Sequence, residues 1–145
     1  MGSGHRRSSV AGVLVSNPQL GGIFMASDGY ADPVAQTLKS AGKNAPAGSP
    51  GHVWTVSVDG TPAALDAIRR GDLDASAAQP VTQFVTHALD YLQLLANGQQ
   101  IPLGPTDHGS EIIQSSDGYP VDTFKSVFIT ADNVNDPKNW ANSVG

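Results

Sequence analysis

A chain of 145 residues with 14% charged and 39% hydrophobic side chains has the make-up of one folded domain, not of a disordered tail. Its net charge is -5 and its eight Lys and Arg are scattered, which argues against nucleic acid as a partner, because phosphate recognition needs clustered cations. The absence of cysteine excludes disulfides, thiolate metal sites and a cysteine nucleophile.

No segment reaches the roughly 18 to 20 apolar residues that span a bilayer. The opening "MGSGHRRSS" is followed by a short apolar run over residues 10–15, shorter than the core of a secretory signal. Residues 1–8 are expected to be an unstructured or vector-derived N-terminus, residues 9–145 to be the folded part, and the whole to be a piece of a longer protein.

In chain order, residues 9–20 read as a weak helix closed by Asn17-Pro18. "GGIFMAS" carries a continuous apolar run, Ile23 to Ala26, the mark of a strand buried on both faces. In "DGYADPVAQTLKSAG", Asp32 suits an N-cap, Pro33 a first helical position and Gly42 a stop. "KNAPAGSPG" is a loop and "HVWTVSVDG" a β-branched strand. Thr61-Pro62 starts a short helix that Gly71 ends, and "DASAAQ" is a short strand. Residues 81–97 form the clearest helix: Val81, Phe84, Val85, Ala88, Leu89, Leu92 and Leu95 recur at helical spacing, and Gly98 stops it. Residues 97–122 show little patterning, "FKSVFIT" is a last strand, and the remainder is a tail in which Trp140 is an anchor or a subunit contact.

Alternating strands and helices predict an α/β fold, a mainly parallel sheet flanked by helices. Right-handed crossovers then bring the strand C-terminal ends to one edge, where open α/β sheets bind small ligands. Asp28, Asp59 and Gln79 all stand at or just past predicted strand ends, so they are expected on one rim, with Ser27 and Tyr30 beside them. Each also has a plain reading: Asp59 as a turn or capping residue, Gln79 as a strand end, Ser27-Asp28 as a loop opening. Nucleophilic catalysis finds no support, since there is no G-x-S-x-G and His5, His52, His87 and His108 lie in unrelated contexts. No metal-ligand pair stands at helical spacing. Phe24 and Trp54 are expected in the core, and His87 as a structural histidine.

The succession "GGIFMASDGYADPVAQTLKSAGK", "VSVDGTPAALDAIRRGDLDASAAQP", the helix ending "LANGQQIP" and the late "VFITADNV" resembles the C-terminal part of the type I periplasmic sugar-binding proteins, the ribose-binding-like receptors of ABC transporters. The resemblance runs from about residue 9 onward. It implies a lobe of a two-lobed receptor about twice this length, extracytoplasmic, without cofactor or metal and not an enzyme, with a monosaccharide or related polyol as ligand and a membrane permease as partner. It makes Asp59 the acceptor of sugar hydroxyls, Gln79 a sugar ligand at a hinge crossing, and Ser27-Asp28 the match of an Asn-Asp pair, with Tyr30 nearby. Serine in place of asparagine shortens the reach and removes a donor. The helix over 81–97 packs on the other lobe in that family, so here it is expected to be exposed or to mediate self-association. Two other readings remain: the effector-binding domain of a LacI-type regulator, which needs a helix-turn-helix not found in this sequence, and a small α/β enzyme using Asp28 or Asp59.

Overall fold

The protein is described from a computed structural model that covers residues 3–143. The part expected as one lobe fragment divides into two compact units, one of Met1–Gln79 with Val127–Gly145 and one of Pro80–Ser126.

The first unit is α/β. Helix α1 (Ser3–Ser16) leads to strand β1 (Gly22–Phe24), a 3-10 turn (Asp28–Tyr30), α2 (Ala31–Ser40), β2 (Trp54–Asp59), α3 (Pro62–Arg69) and β3 (Ala75–Ala78). The sheet order is β1-β2-β3-β7, with the first three strands parallel and β7 (Val127–Thr130) antiparallel to β3. The mainly parallel sheet is therefore as expected from the alternation of elements.

Local chemistry explains the boundaries. Thr61 caps α3 by accepting from the Ala64 N–H, Pro62 takes the first turn, and Gly71 follows in the left-handed region at φ 72°. Helix α1 begins at Ser3, so residues 3–8 of the segment expected to be unstructured are helical. Arg, Ala and Leu favour the helix, and no proline interrupts it before Asn17-Pro18. Helix α2 starts at Ala31 with Tyr30 in the capping position, which puts Asp32 inside the first turn and not at the cap. A carboxylate there still favours the positive end of the helix.

Side chains alternate across the strands. One sheet face carries Ile23, Met25, Ser57, Ser76 and Ile129, and meets Val34 and Leu38 of α2 and Leu65 and Ile68 of α3 in a single core. Leu65 and Ile129 are fully buried, each contributing about 1.5–3 kcal/mol. The other face carries Phe24, Trp54, Val56, Val58, Ala75, Ala77 and Phe128. Phe24 and Trp54, expected in the core, are exposed, because the helices of this unit cover one face of the sheet only.

In the second unit, α4 (Val81–Ala96) carries no buried residue, and its stripe of Phe84, Leu89, Leu92 and Leu95 is exposed, as the sequence led one to expect. The segment read as unpatterned folds into a three-stranded antiparallel sheet, β4 (Gly104–Pro105), β5 (Glu111–Gln114) and β6 (Pro120–Thr123). The strands are too short for period-two alternation to stand out in the sequence.

Asp122 is the hub of this unit. It accepts from Tyr91 Oη at 2.6 Å and from Ser110 Oγ, and pairs with His108 Nε2 at 2.9 Å. The His108 ring stacks on His87 with centroids 3.5 Å apart, and Phe124 flanks both. The Asp122 bond, helped by Asp107, holds the His108 imidazole above its ordinary 6.5. Burial works against the Asp122 carboxylate, but the bonds from Ser110, Tyr91 and His108 outweigh it and keep the group below 3.8. Burial, then the Asp122 bond and charge, push the Tyr91 phenol up to about 12.

A pH window follows by linkage. The His108 contribution is complete below its ordinary value of 6.5 and is lost as pH rises through the raised folded value. The Asp122 contribution is complete above 3.8 and is lost as pH falls through the depressed value. Thermal unfolding followed at Tyr91 is therefore expected to give the highest midpoint between about pH 4 and 6.5. His108→Gln should flatten the alkaline limb, and an unchanged limb would remove His108 as its source.

Candidate ligand-binding site

Three parallel strands put their C-terminal ends on one edge of the first sheet, and this edge carries the residues singled out from the sequence. Ser27 and Asp28 follow β1, Asp59 is the last residue of β2, and Gln79 follows β3 directly. The structure thus brings Ser27, Asp28, Asp59 and Gln79 to one rim. Tyr30 closes the 3-10 turn after Asp28 and packs against the core.

Asp59 is the centre. Its backbone has φ 123°, a region that disfavours any residue with a Cβ and that typically costs about 1–3 kcal/mol. Its carbonyl is held by two donors, the Gln79 N–H at 3.0 Å and Trp140 Nε1 at 3.3 Å. Its carboxylate Oδ2 accepts from Ser27 Oγ at 2.8 Å and from the Asp28 N–H at 3.4 Å. Among the described residues, Oδ1 has no hydrogen-bond partner, and neither has the Gln79 side-chain amide. Both residues are half-buried. A carboxylate held by Ser27, with one oxygen open, and an open amide beside it can accept from and donate to hydroxyl groups.

Asp28 is placed differently from the expectation. It is buried, and both its oxygens are engaged within the chain. Oδ1 accepts from Ser57 Oγ at 2.5 Å and Ser76 Oγ at 2.8 Å, and Oδ2 from the Thr61 N–H at 2.7 Å and Thr61 Oγ1 at 2.9 Å. One carboxylate ties the end of β1 to β2, β3 and the start of α3. With about four lone-pair sites taken, it has none left for a ligand.

Sequence reasoning missed Ser57, Ser76 and Thr61 as part of this arrangement. The signal was there: a serine stands at the buried position of alternation in each of two strands, and a buried hydroxyl needs a partner. Trp140 is an anchor, as one of its two readings had it, but its attachment to the Asp59 carbonyl has no local signature.

A hollow of about 570 Å³ opens at the opposite edge of this sheet, near Trp54, Asp74 and Thr130, and contains none of the rim residues. Several of its polar groups are engaged within the chain: Lys39 and Arg70 pair with Asp72, and His52 Nε2 bonds Asp74. The Lys39 bond is the main force holding the Asp72 carboxyl below 3.8. The hollow contains none of the residues that the sequence singled out, and the rim is taken as the candidate.

Comparison with known proteins supplies the context. The periplasmic binding protein domain family matches residues 6–100. No curated protein matches the sequence. Among solved structures, the chain is similar to a periplasmic solute-binding protein of an ABC transporter from Actinobacillus succinogenes with bound D-allose, at 20% identity and TM-score 0.69, covering 92% of this chain and 39% of that one. A solute-binding protein from Agrobacterium vitis with bound D-fucose is 22% identical with TM-score 0.67, covering 96% and 40%. One from Bacillus halodurans with bound myo-inositol is 19% identical with TM-score 0.66, covering 92% and 38%. The chain therefore spans about two fifths of the length of these proteins.

Proposed function

Because the chain belongs to the periplasmic binding protein domain family, we propose that it is a C-terminal portion of the solute-binding component of an ABC sugar importer. It contributes one side of a site for a monosaccharide or related polyol, acts outside the cytoplasm, delivers to a membrane permease, and performs no catalysis. The observation that carries this reading is the Ser27–Asp59 pair at the rim, with Asp59 Oδ1 and the Gln79 amide open to a ligand. The bound D-allose, D-fucose and myo-inositol of the similar proteins supply the ligand class.

The roles differ among the rim residues. Asp59 accepts from ligand hydroxyls through a charge-assisted bond, stronger than a neutral one. Gln79 offers both a donor and an acceptor, Ser27 fixes the Asp59 carboxylate, and Tyr30 borders the site. Asp28 does not touch the ligand; it holds the strand ends in place.

One side of a cleft leaves most of a sugar hydrated, whereas good sites bury about 70–90% of the ligand. Titration of this chain with D-allose, D-fucose or myo-inositol is therefore expected to show millimolar or weaker binding. Amide NMR shifts should be confined to Ser27, Asp59–Thr61 and Gln79, and Asp59→Asn should weaken them about tenfold, the 1.4 kcal/mol of one charge-assisted bond. Shifts elsewhere, or none at saturating sugar, would refute the site. Micromolar affinity in a monomer would refute the one-sided cleft.

A further inference from the structure

The Asp59 carbonyl carries one donor more than its hydrogen bonding requires. It accepts from the Gln79 N–H at 3.0 Å, and Trp140 Nε1 reaches it as well, at 3.3 Å. One partner satisfies a buried carbonyl. The second bond falls on the one non-glycine residue with positive φ among the described residues, Asp59 at 123°. We infer that Trp140 is a positioning residue for the ligand site, a role that rests on the sugar-site reading of the rim. Through the Asp59 carbonyl it holds the backbone that aims the Asp59 carboxylate and spaces it from Gln79.

Three bonds fix the peptide between Asp59 and Gly60. Its carbonyl takes the two donors, and its N–H donates to the buried Ser76 Oγ at 3.1 Å. A peptide is planar and rigid, so bonds at both ends set its orientation. The pairing of β2 with β3 fixes the chain up to Asp59. With the next peptide held too, the direction of the Asp59 Cα–Cβ bond is set. Strain at this φ drives the backbone toward a commoner conformation. The carbonyl bonds oppose that drift, which would carry the carboxylate away from Ser27 Oγ. Because one of the two donors is the Gln79 N–H, the same carbonyl also sets the distance between the two ligand groups.

A half-buried indole needs some acceptor for its single N–H, and that plain need could be met by many carbonyls. The difference lies in how firmly this donor is presented. Val134, Asn139 and Ala141 around it are buried, and the Trp140 ring packs against the core. Asn139 Nδ2 donates to the Asn133 carbonyl at 2.8 Å, and Asn142 Nδ2 to the carbonyls of Val134 and Asp136 at 2.9 and 2.8 Å. Arg69 of α3 bonds Asn135 Oδ1 at 3.0 Å and Asn142 Oδ1 at 2.8 Å. The indole is thus carried by a loop cross-linked to itself and pinned to the helix that starts just past the rim, at Pro62. Coupling of this kind is reciprocal: if Trp140 favours the ligand-ready rim, a bound ligand holds Trp140 in place by the same factor.

NMR titration of the full chain with D-allose, D-fucose or myo-inositol, well below its unfolding temperature, compares the parent with Trp140→Phe, which keeps an aromatic ring and lacks the N–H. The variant is expected to raise the dissociation constant about fivefold, the effect of one ordinary hydrogen bond. Without ligand it should shift the Asp59 carbonyl and Gln79 N–H resonances and leave those of Ser57 and Ser76 in place. A merely structural Trp140 lowers the melting temperature and leaves the dissociation constant of the folded chain unchanged. A second measurement needs no variant. Saturating ligand is expected to slow hydrogen exchange at the Trp140 indole N–H of the parent about fivefold, with the indole of Trp54, at the far end of β2, as the control. If circular dichroism shows that the variant does not fold, this exchange rate decides. A parent that binds, with a variant that binds equally well or an indole rate that ignores the ligand, overturns the positioning role and leaves the sugar site standing. A parent whose rim resonances respond to none of the three ligands overturns the sugar-site reading, and the positioning role with it.

Discussion

Replacing Asp28 by alanine is expected to destabilise the first unit by about 3–5 kcal/mol, the range for removing one partner of a buried charged network. The carboxylate accepts four hydrogen bonds from three residues, and alanine leaves the hydroxyls of Ser57 and Ser76 and the Thr61 N–H without their acceptor in buried or partly buried positions. For a chain of this length the melting temperature should fall by on the order of 10 °C. Asp28→Asn keeps the shape but turns an NH2 group toward donors, so it should lie between parent and alanine. Urea unfolding followed by circular dichroism checks both. A loss below about 1 kcal/mol would mean that water replaces the carboxylate without penalty and that the strand ends do not depend on it.

Gly60→Ala should be nearly as damaging, for a steric reason. Gly60 has φ 74°, and a Cβ there would stand 2.7 Å from Ala78 Cβ and 2.9 Å from Ala78 Cα. The left-handed backbone costs roughly 1–2 kcal/mol with a side chain present. Forcing two parallel strand ends apart adds about 1–3 kcal/mol. Gly71→Ala is the control, since its φ is 72° but nothing lies within 4 Å of an added Cβ. The difference between the two variants in thermal unfolding isolates the collision. Equal losses would show that Ala78 yields easily and that backbone conformation accounts for all of the effect.

Much of this arrangement was legible beforehand because it rests on local rules. Thr61-Pro62, Gly71, Gly42 and Gly98 punctuate helices by capping and backbone geometry that nearby residues decide, and those boundaries stand in the structure. The common rim of Asp28, Asp59 and Gln79 followed from crossover handedness. What escaped was decided at long range. Asp28 reads as a loop residue open to ligand, and only the tertiary fold brings Ser57 and Ser76 onto it. Phe24 and Trp54 sit in strands whose patterning asks for cover on both sides, and strand patterning does not say whether that cover lies in the same chain. The β4-β5-β6 sheet was invisible because its strands have two to four residues each, below the length at which alternation separates from chance.

The attachment of Trp140 to the Asp59 carbonyl also sets a timetable for the protein's birth. Ribosomes add about 5–20 residues per second, so Asp59 leaves the catalytic centre of synthesis several seconds before Trp140 is made. Throughout that interval β3 has an unpaired edge, the Ile129 plug of the core is missing, and one of the two donors that hold the Asp59 carbonyl in its unfavourable backbone conformation does not yet exist. The second unit, encoded entirely between β3 and β7, emerges during the same interval. The Asp59 backbone therefore waits on Trp140 for its second donor, and a nascent chain exposes the β3 edge until β7 follows.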